Sequence, residues 1–303
     1  MAPASFPVPI ILLVFNRHGL TEQVFARIRA VRPAQLFVVA DGPRPARPGE
    51  AERCARVREL VERGVDWPCS LVRDYSEVNL GCAQRVSSGI TNAFRSVEEA
   101  IVLEDDCLPD PSFFPFCAEL LARYRDDSRV GQIGGTTFRR RPPASGDSYY
   151  WSLYPHCWGW ATWRRAWRFY DHGMVDWAAA LRRRRAAGDL PSQAEHSYWE
   201  SMFSGTAAGA IDSWAYRWTA ALWSHDCLSV LPAVSLVRNI GFAPDATHTT
   251  HGTAPVSGSL DFPLRHPAAV VRDSVADAET GRRVFQLPTL ANRVVRRLRA
   301  LFN

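Results

Sequence analysis

The chain offers no paired cysteines. Its seven thiols, Cys54, Cys69, Cys82, Cys107, Cys117, Cys157 and Cys227, are scattered, odd in number and never spaced as CxxC. That pattern leaves no CxxC motif and fits reduced thiols in a cytoplasmic compartment. Long hydrophobic runs are missing too. The N-terminal run, residues 7–15, is too short for a membrane span and lacks a basic leader and a small-residue cleavage site. It is therefore read as a strand, not as a signal peptide or a spanning helix. No internal repeat and no low-complexity domain breaks the sequence, which excludes a repeat array.

What is present fits an ordinary globular protein. Hydrophobic residues make up 47% and charged residues 22% of 303, enough for one large domain or two small ones with a buried core. Eleven tryptophans are a weak pointer to carbohydrate, whose flat rings they cover well. The formal charge is +5, with arginines concentrated at 182–185 and at Arg293, Arg296, Arg297 and Arg299. Such runs are solvated helix faces, or they attract acidic substrates or an anionic membrane surface. They are too local for a nucleic-acid interface, which needs arginines along one face with stacking aromatics.

The first 110 residues alternate strand and helix. Residues 8–15 form an unbroken apolar run, as expected of a parallel strand covered on both faces. A helix is expected from Thr21, read as its N-cap, to about residue 30. Strands are expected at 35–40, 70–73 and 99–103, with helices at 50–63 and 84–94. The alternation predicts an α/β protein with a doubly wound sheet, in which ligands sit beyond the carboxyl ends of the strands. Asn16-Arg17, Asp41 and Glu104-Asp105-Asp106 all fall at such ends. Beyond them, 112–124 reads as a helix, 129–134 as a strand and 139–147 as an exposed loop. The aromatic-rich stretch 151–223 is expected to build an acceptor side. Periodicity fades from about 243 and returns in a basic amphipathic helix at 290–301.

Three carboxylates crowd the strand end at Glu104-Asp105-Asp106. Like charges so close need a compensating cation or donors. Hard divalent ions with oxygen ligands suit such a site and commonly bridge to phosphates; a solvated acidic turn is the plain alternative. The stretch Asn79-Leu80-Gly81, Arg85, Gly89-Ile90, Ala93-Phe94, Ile101-Val102-Leu103-Glu104-Asp105-Asp106 and Pro111-Ser112-Phe113-Phe114 resembles the GT-A, or nucleotide-diphospho-sugar transferase, fold of glycosyltransferases. It is similar to family 2 enzymes, and its Glu-Asp-Asp form resembles the N-acetylglucosaminyltransferase I group. The segments Trp158-Gly159-Trp160-Ala161-Thr162-Trp163, Asp212-Ser213-Trp214-Ala215-Tyr216-Arg217-Trp218 and Ser235-Leu236-Val237-Arg238-Asn239-Ile240-Gly241-Phe242 look like bacterial members of that superfamily. The resemblance runs from about residue 8 to 251.

That resemblance implies a Rossmann-like, mixed but mostly parallel sheet flanked by helices. It implies a GT-A domain over 1–245, with a nucleotide-binding half (1–110) and an acceptor half (111–245). Residues 246–303 would be a lid loop and basic tail helix. The implied activity is metal-dependent transfer of a hexosyl or N-acetylhexosaminyl unit. The donor would be a nucleotide-diphosphate sugar, with a UDP-sugar favoured, and the acceptor a glycan or lipid-linked saccharide, as in polysaccharide biosynthesis. Asp106 would bind Mn²⁺ or Mg²⁺, and His248 would complete the metal or pyrophosphate site, with His251 as competitor. Glu104 and Asp105 would hold ribose, sugar or the metal's water shell. Arg17 would meet the donor's phosphate or base, Asp41 its base or ribose, and Arg85 its pyrophosphate or ribose.

An inverting transfer needs a carboxylate to take the acceptor's proton. Asp212 is the candidate, or else an N-cap of the aromatic helix that follows; Glu195 is the fallback. In the N-acetylglucosaminyltransferase I group two consecutive acids occupy the similar motif, and here Ser213 takes the second position. Trp158, Trp160 and Trp163 either line the acceptor site or pack in the core. The tail helix either rests on the inner membrane surface or is a plain surface helix. Two rival readings are a non-catalytic nucleotide-sugar or glycan binder, and a sugar nucleotidyltransferase. The latter lacks its Gly-rich N-terminal loop in Phe15-Asn16-Arg17-His18-Gly19.

Overall fold

The computed structural model describes residues 5–241 and 257–285. His248, His251, most of the expected lid and the basic tail helix lie outside the described residues. In chain order the elements are β1 Ile10–Val14, α1 His18–Val31, β2 Gln35–Ala40, α2 Glu50–Gly64, β3 Ser70–Tyr75, α3 Cys82–Ala93 and β4 Glu99–Glu104. There follow β5 Cys107–Pro109, α4 Phe113–Arg123, β6 Val130–Gly134, β7 Tyr149–Ser152, β8 Trp160–Trp163, α5 Arg164–Trp167 and α6 Trp177–Ala186. The last are α7 Gln193–Ala207, α8 Trp214–Ser224, β9 Leu228–Pro232, β10 Val237–Asn239 and α9 Ser274–Val284.

Eight strands form one mixed sheet in the order β3-β2-β1-β4-β8-β6-β9-β7, and β5 pairs with β10 in a two-stranded sheet. β3, β2, β1 and β4 run parallel, and so do β6 and β9. β8 is antiparallel to both β4 and β6, and β7 is antiparallel to β9. The mixed, mostly parallel sheet flanked by helices that the sequence leads one to expect is therefore present. From β1 the chain winds outward to β2 and β3, then crosses back to β4 on β1's other side. The strand order thus reverses between β1 and β4, the position where open α/β sheets place their ligands.

The apolar runs follow from burial on both faces. Ile10, Leu12 and Val14 of β1 join Leu36 and Val38 of β2 and Ile101 and Leu103 of β4 in a core roofed by α1, α2 and α4. Ile11, Leu13, Phe37, Val39, Ala100 and Val102 point the other way, onto α3, α5 and α8. Each buried aliphatic side chain in these layers contributes roughly 1.5–3 kcal/mol.

Several boundaries differ from the sequence expectation. α1 begins at His18, a turn before Thr21, which sits inside the helix with its hydroxyl donating to the Arg17 carbonyl at 2.8 Å. A threonine early in a helix can bond back in this way as easily as cap it. β3 extends to Tyr75. The stretch after 243, where periodicity fades, contains α9, tied to the sheet edge by polar contacts rather than by an apolar stripe. Trp160 and Trp163, candidates for an acceptor wall, are core residues of the inner strand β8. Trp160 stacks on Trp214 at 5.3 Å, and the Trp163 indole donates to the Leu121 carbonyl at 3.1 Å. Among the described residues no helix is long and apolar enough to cross a membrane.

Candidate active site

A cavity of about 1230 Å³ opens over the carboxyl ends of β2, β1 and β4. Arg17, Asp41, Arg85, Glu104, Asp105, Asp106 and Asp212 all line it, together with Trp158 and Trp214. Residues as far apart in sequence as Arg17 and Trp214 thus meet at the reversal point of the sheet.

The acid triplet forms the floor. β4 ends at Glu104, and the chain turns through Asp105 and Asp106 into β5. Burial, then the charges of Asp106 and Asp105, push Glu104 up to about 8, against a hydrogen bond from the Trp214 indole. Burial also pushes Asp105 up to about 6, against the pull of Arg17. Arg17 stands just beyond β1 and faces both aspartates. Its Nε donates to Asp105 Oδ2 at 3.2 Å, its Nη2 to Asp105 Oδ1, and its Nη1 lies 2.9 Å from Asp106 Oδ2. Burial works against the charge of Arg17, but the two aspartates more than offset it and hold the guanidinium above its usual range. The backbone just after β10 closes the far side: the Ile240 amide donates to the Asp106 carbonyl at 2.8 Å. A Cβ at Gly241 would lie 2.4 Å from Asp106 Oδ2, so only glycine fits there.

Asp41 and Asp212 perform a shared structural task. The Asp41 carboxylate accepts from the amides of Leu80 at 2.9 Å and Gly81 at 3.1 Å, and from the Asn79 side chain at 3.1 Å. It also accepts from the Gly42 amide, the local turn bond open to an aspartate before glycine. The Asp212 carboxylate accepts from Cys82 and Ala83, each at 2.9 Å. Four successive amides at the start of α3 therefore hang on two distant carboxylates. Gly81 makes the turn possible with φ of 81°, where a side chain would be strained. Asp212 does not cap the aromatic helix α8 that follows it: its carboxylate holds the start of α3 instead, and the residue before α8 is Ser213, whose side chain makes no cap bond.

Arg85 reaches Asp74 at 2.7 Å through Nη2, while its buried Nε has no hydrogen-bond partner among the described residues. Glu195 lies elsewhere. It occupies the first turn of α7, buried, with its amide capped by the Ser192 hydroxyl and its carboxylate accepting from the Tyr154 hydroxyl. It does not line the cavity.

Three features of the site went unassigned in the sequence. The Trp214 indole lies in the cavity lining with Glu104 and favours its charged form. Asn79 ties Asp41 to the Gly42 carbonyl. Glu50, buried at the start of α2, gathers Asn16 and Arg44, and the Arg44 guanidinium holds its carboxylate down to about 2. Asn79 and Trp214 lie in segments that carry the resemblance but had no role there, and Glu50 had the signal of an acid in a first helical turn.

Among the described residues no group of three or more His, Cys, Asp and Glu side chains is arranged to hold a metal. The donor set nevertheless suits Mg²⁺ or Mn²⁺. Such ions are commonly held by one or two carboxylates, with substrate phosphates and waters completing the shell. Asp106 presents one such carboxylate to a cavity with room for a phosphate.

No family model and no curated protein matches the chain. Among solved structures it is similar to the mannosyltransferase PcManGT from Pyrobaculum calidifontis, in complex with GDP-Man and Mn²⁺, at TM-score 0.40 and 14% identity over 73% of this chain and 74% of that one. It is similar to S. aureus TarS 1-349 at TM-score 0.38 and 10% identity, over 52% of this chain and 47% of that one. A cytidylyltransferase from Leptospira borgpetersenii gives TM-score 0.34 and 10% identity, over 54% and 63%. Glycosyl- and nucleotidyltransferases thus both stand among the structures it resembles, and these likenesses assign no residue role.

Proposed function

We propose that this protein is a metal-dependent glycosyltransferase that moves a sugar from a nucleotide-diphosphate donor to a hydroxyl acceptor. One observation carries the reading: the acid triplet, Arg17, Arg85, Asp41 and Asp212, drawn from five parts of the sequence, share one cavity at the sheet's reversal point. In this reading Asp106 holds the divalent ion, Mn²⁺ or Mg²⁺. Bound there with the donor, the ion supplies Lewis-acid stabilisation of the charge that grows on the departing diphosphate. Arg17 and Arg85 flank the diphosphate. Glu104, steadied by the Trp214 indole, faces the sugar and ribose hydroxyls.

Asp212 stands across the cavity from the β1 side. Each of its oxygens already accepts one amide and retains further acceptor capacity. It takes the acceptor proton as the acceptor oxygen bonds to the anomeric carbon and the bond from that carbon to the diphosphate breaks. Trp158, half-buried, lines the same cavity as Asp212 and offers it an aromatic surface suited to a sugar ring.

A thermal-shift panel of nucleoside diphosphates and sugar nucleotides, with and without Mn²⁺, tests the reading. A ligand at about 100 times its Kd stabilises by roughly 2.7 kcal/mol. At about 2–4 °C per kcal/mol for a chain of this size, the expected shift is about 5–10 °C. It should require the metal and vanish in Asp106→Ala. An equal, metal-independent shift in that variant would count against the site. Release of nucleoside diphosphate on incubation with a donor separates a transferase from a protein that only binds.

A further inference from the structure

We propose that Arg17 is a resident stand-in for the divalent ion, so that the acid triplet takes up a metal only together with a diphosphate that draws the guanidinium off Asp106. The inference rests on reading the cavity as a nucleotide-diphosphate site, and it concerns the order in which that site assembles.

The geometry divides the guanidinium unequally. Nε and Nη2 form a two-pronged contact with Asp105, whose side chain is only 5% exposed. A single edge, Nη1, spans 2.9 Å to Asp106 Oδ2. Among the described residues the other Asp106 oxygen accepts only from the Cys107 thiol, at 3.5 Å. The Asp105 fork therefore anchors the residue, and the Asp106 contact is the one that can be exchanged. The Gly241 backbone flanks the Asp106 carboxylate on one side, where a Cβ would fall 2.4 Å from Oδ2. Arg17, 30% exposed and facing the cavity, is the partner able to move.

A divalent ion arriving alone meets a cation already seated on its carboxylate. It must break a charge-assisted hydrogen bond and then lie beside the displaced guanidinium, which repels it. A diphosphate reverses both effects. Its oxygens accept from the freed Nη1 and fill coordination positions that the protein does not supply. Metal and diphosphate should therefore bind with strong mutual support. Arg17 should weaken the metal when it comes alone and strengthen the nucleotide when it comes with metal.

The test uses the full chain and counts free Mn²⁺ by electron paramagnetic resonance. Wild type, Arg17→Met and Arg17→Lys are titrated with Mn²⁺ alone, and then with UDP, GDP, CDP, ADP or dTDP at saturating Mn²⁺. Arg17→Met should bind Mn²⁺ alone at least tenfold more tightly than wild type and the preferred nucleoside diphosphate at least tenfold more weakly. Arg17→Lys keeps a charge but not the fork and should fall between. Folding is checked by circular dichroism and melting. Should the methionine variant not fold, the lysine variant makes the same comparison, and the gain in Mn²⁺ affinity on adding nucleotide is read in wild type. Arg17→Met binding Mn²⁺ alone no more tightly than wild type overturns the inference. So does a wild type that binds Mn²⁺ equally with and without nucleotide, and both results leave the underlying site intact. Failure of every protein to bind Mn²⁺ with any nucleoside diphosphate removes the site reading itself.

Discussion

At the scale of single residues, the most consequential contacts are those of Asp212. Its two oxygens take the amides of Cys82 and Ala83, next to the pair taken by Asp41. An asparagine there keeps one acceptor oxygen and turns an NH₂ group toward the other amide. Asp212→Asn should therefore lose about 1–2 kcal/mol in a urea melt, the usual cost of a lost cap. If Asp212 also takes the acceptor proton, the same variant should lose about 10²–10⁴ in kcat with little change in donor affinity. Lost stability with undiminished turnover would leave it as a cap alone. The sequence placed Asp212 before an aromatic helix and so suggested a cap for that helix, whereas the carboxylate serves α3. The partner amides lie about 130 positions upstream and carry no side-chain signature.

Among the elements, α9 shows what a periodicity reading misses. Its sequence has only a weak apolar face, yet it is fixed to the sheet edge through Asp277. That buried carboxylate accepts from the Ser152 hydroxyl, from the Leu153 amide at 2.9 Å, and from Arg272, whose guanidinium also meets Asp189. Asp277→Ala should cost about 3 kcal/mol, because two strand-end donors and the Arg272 Nε lose their acceptor inside the protein while the Arg272 Nη groups keep Asp189. Limited proteolysis should then cut near α9 first; an unchanged melting curve would count against this anchoring. Elements that rest on apolar packing were legible instead. β1, β2 and β4 show as continuous apolar runs because both faces of each are covered. Part of the arginine run at 182–185 is likewise structural: Arg184 is largely buried and holds Asp189 and Asp226.

Across the whole molecule, every one of the 36 basic side chains is arginine and none is lysine. Such a chain holds its carboxylates with planar, always-charged forks. Glu50 shows the result. Arg44 keeps its carboxylate down to about 2, against roughly 4.3 in an unfolded chain. The stability it contributes is present above that unfolded value and disappears as pH falls toward 2. The site residues were legible because motif chemistry marks carboxylates and arginines at strand ends, whereas their pairing was not, since Arg17 meets Asp105 across 88 positions. His156 carried no signal at all. It is buried against Phe138 with Nε2 unpartnered among the described residues, and burial pushes it down to about 3. An unfolded histidine titrates near about 6.5, so between these values the unfolded chain binds the extra proton. The contribution of neutral His156 is then complete above about pH 6.5 and falls by about 1.4 kcal/mol per pH unit as the solution is acidified. Urea melts of wild type and His156→Leu from pH 4 to 8 should run parallel above about 6.5 and converge or cross below it. Glu50→Gln should depart from wild type in slope only below about 4.3. Parallel curves over the whole range for His156→Leu would mean that the imidazole reaches a proton acceptor or solvent in the folded state.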